Sequence, residues 1–369
     1  MVVIRILVQR YNNFLNYARM CAFFCLLQAN SCTENQFALA YFKKKLYLCM
    51  FFDATRQLMR ILVAPLNWGL GHASRCVPLI ERLQAEGHEV VLGGDGESLT
   101  LLRKHFPALP VLPLAPLNLC YSTGRRQVLA MLRALPQIIR AAIRDHQMLA
   151  GYLLYEQIDE VISDNRFGLY NNKTHCIYMT HQLTIALPYP WRWLEPMVAR
   201  WHRRIITRFD ECWIPDEPQP ALAGRLSHPS IKPDKAKYIG VLSRFAGKSF
   251  TPDTTFKVVA VISGLEPQRT MFEQELIRRY ENADETVLII RGKIHQPPTV
   301  IKHGSVTIAP WLDDSHLAGY LLGAERIICR SGYSSVMDMY ALGVMDKVEW
   351  HPTPGQPEQE YLATYIQSL

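Results

Sequence analysis

Residues 61–78 read ILVAPLNWGLGHASRCVP, a stretch that predicts a strand, a glycine-rich turn and the start of a helix. The apolar run at 61–64 is typical of a buried strand. Gly69 and Gly71 lie in the turn, and His72 follows at once. Because glycine allows close approach to the backbone and helix N-termini attract anions, this turn is a candidate phosphate or oxyanion site.

Three interpretations of this turn require different residues after the two glycines. A dinucleotide-binding turn expects a third glycine, but Ser74 occupies that position, and no acidic residue clearly closes a second strand about twenty residues on. A P-loop is excluded at this turn because no Gly-Lys-Ser/Thr follows the two glycines. A plain strand-to-helix turn, with His72 capping the helix or facing solvent, fits the motif by itself equally well.

The composition indicates an ordinary α/β protein. The 369 residues are 49% hydrophobic and 20% charged, which suits two domains with buried cores. Residues 1–58 hold seven Lys/Arg against two Asp/Glu, or +5 of the net charge of +7, so the remainder is almost neutral and no nucleic-acid partner is expected. The nine cysteines have no metal-type spacing, and the five that lie after residue 58 are expected to be reduced thiols in the core. No uncharged apolar run reaches about 18 residues, the length of a spanning helix.

Strand and helix patterns alternate from residue 60 onward, which predicts parallel, doubly wound sheets. The pattern lapses in a stretch rich in proline and polar residues at 215–255 and then resumes. We therefore expect an N-terminal extension at 1–58, a Rossmann-like domain at 59–235, a linker at 236–256 and a second Rossmann-like domain at 257–369. The extension is apolar and basic, and predicts an accessory segment, a signal peptide or a membrane-surface helix.

A second strand–turn–helix pattern lies at residues 326–343, RIICRSGYSSVMDMYALG. In its helix, Asp338 lies three to four residues from Ser334 and Ser335, so the three side chains share a face. A carboxylate there could accept hydrogen bonds from both hydroxyls of a ribose, while amides at the helix N-terminus could bind a diphosphate. A solvated helix acid is the plainer alternative.

The chain from Met59 onward resembles the MurG-like, family 28 glycosyltransferases, which have the GT-B fold of two Rossmann-like domains facing across a cleft. The resemblance rests on three segments: GLGH at 69–72, VTIAPWLDDSHLAGYLLGAERIICRSGYSSVMDMYALG at 306–343 and PGQPEQEYLA at 354–363. Asp338 and Glu360 depart from the family, which usually has glutamate and glutamine there. The chain also ends soon after the third segment, where family members continue, so the second domain is expected to be incomplete.

The resemblance implies roles for individual residues. His72 would be the base or a phosphate contact, and Asp164 and His181 are further candidate catalytic residues because they follow predicted strands on the acceptor side. The donor would be bound by a larger set: Gly69, Gly71, Ser263 and Gly264 at the phosphates, Leu312 at the uracil, Arg330, Ser331 and Gly332 along the nucleotide, Asp338 at the ribose, and Gln359 and Glu360 at the sugar. Glu358 lies in the same loop, where carboxylate and amide groups suit sugar hydroxyls.

We therefore expect an inverting, metal-independent glycosyltransferase that moves a hexosyl group, N-acetylglucosamine foremost, from a UDP-sugar to an acceptor hydroxyl. The sequence contains no Asp-x-Asp of the kind that metal-dependent transferases use, and no cofactor beyond the donor is expected. A UDP-sugar epimerase of the same fold and a non-catalytic nucleotide-sugar-binding subunit are the alternatives.

The acceptor is expected to be a glycan or a lipid-linked molecule. The aromatic and basic segment PYPWRWLEPMVARWHRRI at 188–205 could rest on a membrane, which would place a cytoplasmic protein peripherally at the inner face of the membrane. A buried amphipathic helix is the alternative for this segment.

Overall fold

The computed structural model describes residues 58–116, 127–262, 264 and 266–369. Apart from its last residue, the expected extension at 1–58 lies outside the described residues, and so does Ser263. The four described cysteines, Cys76, Cys176, Cys212 and Cys329, are free and buried, as predicted.

The first half of the described chain is an α/β unit whose elements alternate along the sequence. They are β1 (Arg60–Pro65), α1 (Gly71–Ala85), β2 (Glu89–Gly94), α2 (Gly96–His105), β3 (Val111–Pro113), α3 (Gln127–Tyr152), β4 (Glu160–Asp164), β5 (His175–Met179), α4 (Glu195–Ile206), β6 (Glu211–Ile214) and β7 (Ala236–Tyr238). The strands form one parallel sheet in the order β3-β2-β1-β4-β5-β6-β7.

The last strand of this sheet lies in the segment predicted to be a linker. Ala236 pairs with Cys212 of β6, and its side chain is buried in the core on one face of the sheet. Residues 236–238 therefore belong to the first sheet, and the connection to the second half begins after Tyr238. The sequence pattern did not reveal this strand because it is only three residues long and follows a proline-rich stretch.

The second half repeats the α/β alternation. Its elements are β8 (Val258–Val261), α5 (Gln268–Tyr280), β9 (Val287–Ile290), β10 (Ile301–His303), β11 (Val306–Ala309), α6 (Asp314–Gly323), β12 (Arg326–Cys329), α7 (Tyr333–Leu342), β13 (Val348–Trp350) and α8 (Pro357–Ile366). The strand order is β10-β11-β9-β8-β12-β13, and only the pairing of β10 with β11 is antiparallel. The two predicted Rossmann-like sheets are confirmed.

Hydrophobic patterning accounts for these elements. The central strand β1 is apolar and fully buried at residues 61–64, as expected for a parallel strand covered on both faces. In α1, Ala73, Cys76, Val77 and Ile80 recur at helical spacing and are fully buried. One core cluster continues from this helix to the helices of the second half. No helix among the described residues is long and apolar enough to cross a bilayer.

Strand order determines where a ligand can bind. In the first sheet β2 and β4 lie on opposite sides of β1, and in the second sheet β9 and β12 lie on opposite sides of β8. Such a reversal opens a crevice at the carboxyl ends of the strands, where open α/β sheets bind ligands. The turns at residues 66–70 and 330–332 lie at these two crevices.

Candidate active site

The two strand–turn–helix corners identified in the sequence meet in the structure. Helix α1 begins at Gly71, and Ser334 Oγ of α7 donates a 2.8 Å hydrogen bond to the Gly71 carbonyl. A Cβ on Gly71 would lie 2.8 Å from that Oγ, so a larger residue at this position would displace the Ser334 hydroxyl. Gly69 has a φ of +73°, in the left-handed region. The turns at 69–72 and 330–332 therefore face each other.

Both helices begin without a side-chain cap. Leu70 and Gly332 occupy the N-cap positions of α1 and α7, and neither supplies a capping hydrogen bond. The first N–H groups of a helix have no partner within the helix, and the partial positive charge at its N-terminus favours an anion. Two uncapped N-termini at one crevice are therefore suited to binding a diphosphate.

His72 lies in the first turn of α1, and 14% of its side chain is exposed. Its Nδ1 lies 3.1 Å from Oδ1 of Asp164, the fully buried last residue of β4. Pro65 at the end of β1 lies opposite Asp164 in the sheet, so the reversal of strand order brings the two side chains together. An imidazole oriented by a carboxylate is an arrangement typical of a general base.

Arg75, one helical turn beyond His72, forms a buried ion pair that the sequence did not predict. Its Nε donates to Asp164 Oδ2 at 2.7 Å, and its Nη2 donates to Oδ1. Burial acts to raise the pKa of Asp164, but the Arg75 charge and the hydrogen bonds from His72 and Arg75 outweigh it and hold the pKa far below its usual value. Asp164 is therefore suited to orienting His72 and unsuited to acting as the base itself.

The neighbours of His72 favour opposite tautomers of its imidazole. Arg75 Nη2 lies 2.9 Å from Nδ1 and can donate to it, which leaves the proton on Nε2. Asp164 instead accepts a hydrogen bond from a protonated Nδ1, which leaves a lone pair on Nε2. Only the second tautomer can remove a proton from a substrate through Nε2.

His181 is buried, and both of its ring nitrogens have partners. Arg75 Nη1 donates to Nδ1 at 3.0 Å, so Nε2 carries the hydrogen and donates to Glu358 Oε1 at 2.8 Å. Burial lowers the pKa of His181, and its ring stacks on Tyr333 with centroids 4.4 Å apart. Because no lone pair is free, this arrangement suits His181 to hold Arg75 and Glu358 in place and does not suit it to act as a base.

Asp338 is buried on α7, so the alternative of a solvated helix acid is wrong. Its Oδ1 accepts a 2.6 Å hydrogen bond from Ser243 Oγ, and its Oδ2 lies 3.6 Å from Arg244 Nε. Burial raises the pKa of Asp338, and the Arg244 charge opposes the rise. Ser243 and Arg244 lie in the segment that connects the two sheets, where sequence patterns offered no signal of a role.

Arg330 is held by protein groups in the second corner. Its guanidinium donates to the carbonyls of Pro352 at 3.0 Å and Gln268 at 3.3 Å, and lies 3.9 Å over the Phe272 ring. Burial lowers the pKa of Arg330 to about 10. Through these contacts Arg330 links the turn at 330–332 to α5 and to the segment before α8. This structural role differs from the expected contact with the nucleotide.

The predicted sugar-binding residues, Gln359 and Glu360, form hydrogen bonds with the segment before α8. Ser331 Oγ donates to the Gln359 carbonyl at 2.8 Å, and Gln359 Oε1 accepts from the Thr353 N–H at 2.9 Å. Glu360 accepts from the Gly355 N–H at 2.9 Å. The segment is thereby tied to the turn that begins α7.

Gly264 and Leu312 follow strands at the ligand-binding edge of the second sheet. Gly264 follows β8 with a φ of +151°, and the space around its Cβ position is open. Leu312 follows β11 and packs partly buried against the core. Within the described residues, no group of three or more His, Cys, Asp or Glu side chains is arranged to hold a metal ion.

Comparison with known proteins agrees with this architecture. No family model matches the chain. Two uncharacterized glycosyltransferases, from Methanosarcina mazei and Methanosarcina acetivorans, are each 23% identical to it over 84% of this chain and 83% of their own length.

Several solved structures share the fold. The glycotransferase of kitacinnamycin has a TM-score of 0.56 and 14% identity, covering 85% of this chain and 84% of that one. The spinosyn rhamnosyltransferase SpnG has a TM-score of 0.54 and 15% identity, covering 84% of each chain. SnogD from Streptomyces nogalater has a TM-score of 0.51 and 16% identity, covering 85% and 88%. The fold is that of GT-B glycosyltransferases, and with the two named relatives it identifies the chain as an enzyme of the glycosyltransferase class.

Proposed function

We propose that the protein is an inverting, metal-independent, MurG-like transferase that moves a hexosyl group, N-acetylglucosamine foremost, from a UDP-sugar to an acceptor hydroxyl. The observation that carries this proposal is the position of His72. It lies beside Asp164 at the N-terminus of α1, directly across from the uncapped N-terminus of α7. A candidate base and a candidate diphosphate site therefore share one crevice.

The chemistry follows from this arrangement. His72 Nε2 would take the proton of the acceptor hydroxyl while the acceptor oxygen forms a bond to the anomeric carbon. The bond from that carbon to the diphosphate oxygen would break, and UDP would leave with the electron pair. Asp164 would stabilise the imidazolium that forms, and the helix N-termini would stabilise the leaving diphosphate in the way that a cation does in metal-dependent transferases.

The donor would lie along the second sheet. Gly264 and the N-terminus of α7 would contact the diphosphate, the backbone at Leu312 the uracil, and Asp338 the ribose. Gln359 and Glu360 would contact the sugar, which requires some of their present hydrogen bonds within the loop to be exchanged for bonds to sugar hydroxyls. No cofactor other than the UDP-sugar would take part.

A lipid-linked or envelope glycan acceptor is supported by an exposed aromatic surface on the first half. We call residues Tyr189, Trp191, Trp193, Met197 and Trp201, all exposed, the aromatic patch. Arg192, Arg200 and Arg204 are exposed beside it. Helix α4 buries Ile205 and Ile206 but leaves Met197 and Trp201 exposed, which supports the membrane-surface alternative for this segment over the buried one.

Aromatic and basic side chains together favour the interface of an anionic membrane. We therefore propose peripheral binding at the inner face of the membrane. In a co-sedimentation assay, vesicles containing phosphatidylglycerol should retain the protein, and Trp193→Ala should weaken retention. Met271→Ala, which truncates an exposed apolar residue of α5, is the matched control. Equal retention of both variants would contradict membrane binding by the patch.

Transfer itself is tested by following UDP release from UDP-N-acetylglucosamine and UDP-glucose, with and without an extract of membrane lipids. We expect release that depends on the extract and on His72, and a product whose anomeric configuration in NMR is opposite to that of the donor. Release without any glycosylated product, or a product with retained configuration, would contradict the proposal.

A further inference from the structure

Glu358 connects the two halves of the protein at the candidate active site. It lies in the first turn of α8, in the second half, and its Oε1 accepts a 2.8 Å hydrogen bond from His181 Nε2 in the loop after β5 of the first half. Its other oxygen accepts from the side-chain amide of Gln182. The next residue, Gln359, is a proposed sugar contact, so the link begins beside the donor.

The link continues to His72 without interruption. His181 Nδ1 accepts from Arg75 Nη1 at 3.0 Å, and Arg75 holds both oxygens of Asp164, whose Oδ1 lies 3.1 Å from His72 Nδ1. Each step is a side-chain contact within hydrogen-bonding distance. The groups at both ends, Glu358 and His72, are partly exposed, and the groups between them are buried.

The charges along this link leave a surplus of one negative charge. Arg75 is the single permanent cation, Asp164 and Glu358 are carboxylates with lowered pKa values, and His181 is held neutral by burial. Without Glu358, Arg75 neutralises Asp164. With Glu358 in place, the Arg75 charge is shared between two carboxylates, and part of the Asp164 charge remains to stabilise a positive imidazole.

Two other titratable side chains that contact the cluster, Cys76 and Tyr333, stay neutral. Burial raises the pKa values of Cys76, which contacts Asp164, and of Tyr333, which stacks on His181. Ionisable groups face the cluster from α1, α7, α8, β4, β5 and the loops after β5 and β6. They are His72, Arg75, Cys76, Tyr333, Glu358, Asp164, Tyr178, His181, Asp216 and Glu217.

We propose that Glu358 is a positioning residue that couples the donor-binding half to the base: by binding His181 it engages Arg75 and lets Asp164 stabilise the imidazolium of His72. The inference rests on the proposed function and adds regulation of that site. His72 becomes an effective base only when α8 and the sugar-binding segment are seated against the first half.

Kinetics test the coupling through the conservative variant Glu358→Gln. Its amide oxygen can still accept from His181, but the negative charge is lost. With UDP-N-acetylglucosamine and membrane lipid extract, we expect kcat to fall about ten- to a hundredfold, as for loss of a charge-assisted contact, with little change in the donor KM. The control variant Glu325→Gln removes the same charge from an exposed side chain. Glu325 precedes β12, at the end of the strand away from the turn at 330–332, so this variant should leave kcat unchanged.

A double variant separates coupling from a structural role. Combined with His72→Ala, Glu358→Gln should lower the rate no further, because residues that act as one unit are not additive. An equal fall in both backgrounds, or a change in KM alone, would overturn the coupling. If His72→Ala itself has no effect on the rate, the proposed base is wrong, which is a separate failure.

NMR of the ¹⁵N-labelled imidazoles tests the link without any turnover. Signals are assigned through His72→Gln and His181→Gln, and we expect His181 to be the neutral tautomer protonated at Nε2. Glu358→Ala should change the signals of both His181 and His72, while Glu325→Gln should change neither. Unchanged His72 signals in a folded Glu358→Ala protein would overturn the inference, whatever the enzymatic activity.

Discussion

The two corners that face each other in this protein share a strand–turn–helix plan and differ in chemistry. The first corner carries His72 and Arg75, which share the buried carboxylate of Asp164. In the second corner, Ser331 and Ser334 donate to backbone carbonyls, and Arg330 is satisfied by carbonyls as well. The first corner is held by charged side-chain pairs, and the second mainly by backbone groups and hydroxyls.

This difference matches what each corner is proposed to do. Proton transfer requires a titratable side chain and a charged neighbour that stabilises its protonated form, as Asp164 would do for His72. Binding a diphosphate requires fixed dipoles that do not titrate, and uncapped helix N-termini supply them. Substitutions should therefore affect chemistry in the first corner and nucleotide binding in the second.

The largest expected effect is that of His72→Ala. Loss of a general base typically lowers turnover by about 10²–10⁴-fold, and because His72 is not expected to bind the nucleotide, UDP affinity should change little. Steady-state rates and calorimetry with UDP measure the two quantities. His303→Ala, in the exposed edge strand β10, is the control. A large loss of UDP affinity in His72→Ala would show that His72 contacts the phosphates. It would contradict the assignment of catalysis to the first corner and nucleotide binding to the second.

The two buried arginines should differ in their effect on stability. Arg75→Ala leaves the Asp164 carboxylate buried without a counter-charge, which typically costs about 3–5 kcal/mol of unfolding free energy. Arg330→Ala leaves neutral carbonyls without a donor, which costs about 1–3 kcal/mol. Urea unfolding of both variants measures the difference. Equal destabilisation would show that the ion pair of Arg75 contributes no more to stability than the carbonyl contacts of Arg330.

Asp338→Ala tests the second corner. If Asp338 accepts the ribose hydroxyls, UDP should bind about ten- to a hundredfold more weakly, as for loss of charge-assisted hydrogen bonds. Calorimetry with 2′,3′-dideoxyuridine diphosphate should show no difference between the variant and the parent protein. Asp346→Asn, at an exposed site after α7, is the control. Unchanged UDP affinity in a folded Asp338→Ala protein would restrict Asp338 to binding Ser243.

The smallest expected effect is the change in folding stability with pH that His202, which lies next to the first corner, should cause. His202 donates to the Tyr178 hydroxyl, which donates to Asn165 beside Asp164, and burial lowers the pKa of His202 to about 4. An unfolded histidine binds a proton below about pH 6.5, whereas the folded one does so only near pH 4, so stability falls on acidification in this interval.

Between pH 6.5 and 5.5 this loss should be about 1 kcal/mol. Unfolding measured in urea at both values should show it, and His202→Gln should reduce it. Hydrogen exchange should show β4 and β5 losing protection before β8 and β12 as the pH falls. Loss of protection in the second sheet first would contradict the assignment of pH sensitivity to the first half.

The sequence alone determined the fold class, because hydrophobic periodicity is a local property. The buried run at 61–64 and the alternation of strands with helices required doubly wound parallel sheets, and glycine at 69 and 71 marked the turn between β1 and α1. His72 stood out because it follows that turn directly. The three-residue strand at 236–238 escaped prediction because so short a segment has no period.

Only the tertiary structure decided which groups act together. Asp164 and His72 are 92 positions apart, and His181 and Glu358 are 177 apart, so no local pattern could have paired them. The sequence made both Asp164 and His181 candidate catalytic residues, with Asp164 the better candidate base, since residue type and strand position do not reveal burial or partners. Packing removed both from that role: Arg75 occupies the carboxylate, and Arg75 with Glu358 occupies both imidazole nitrogens, because strand order brings charges together that the chain keeps far apart.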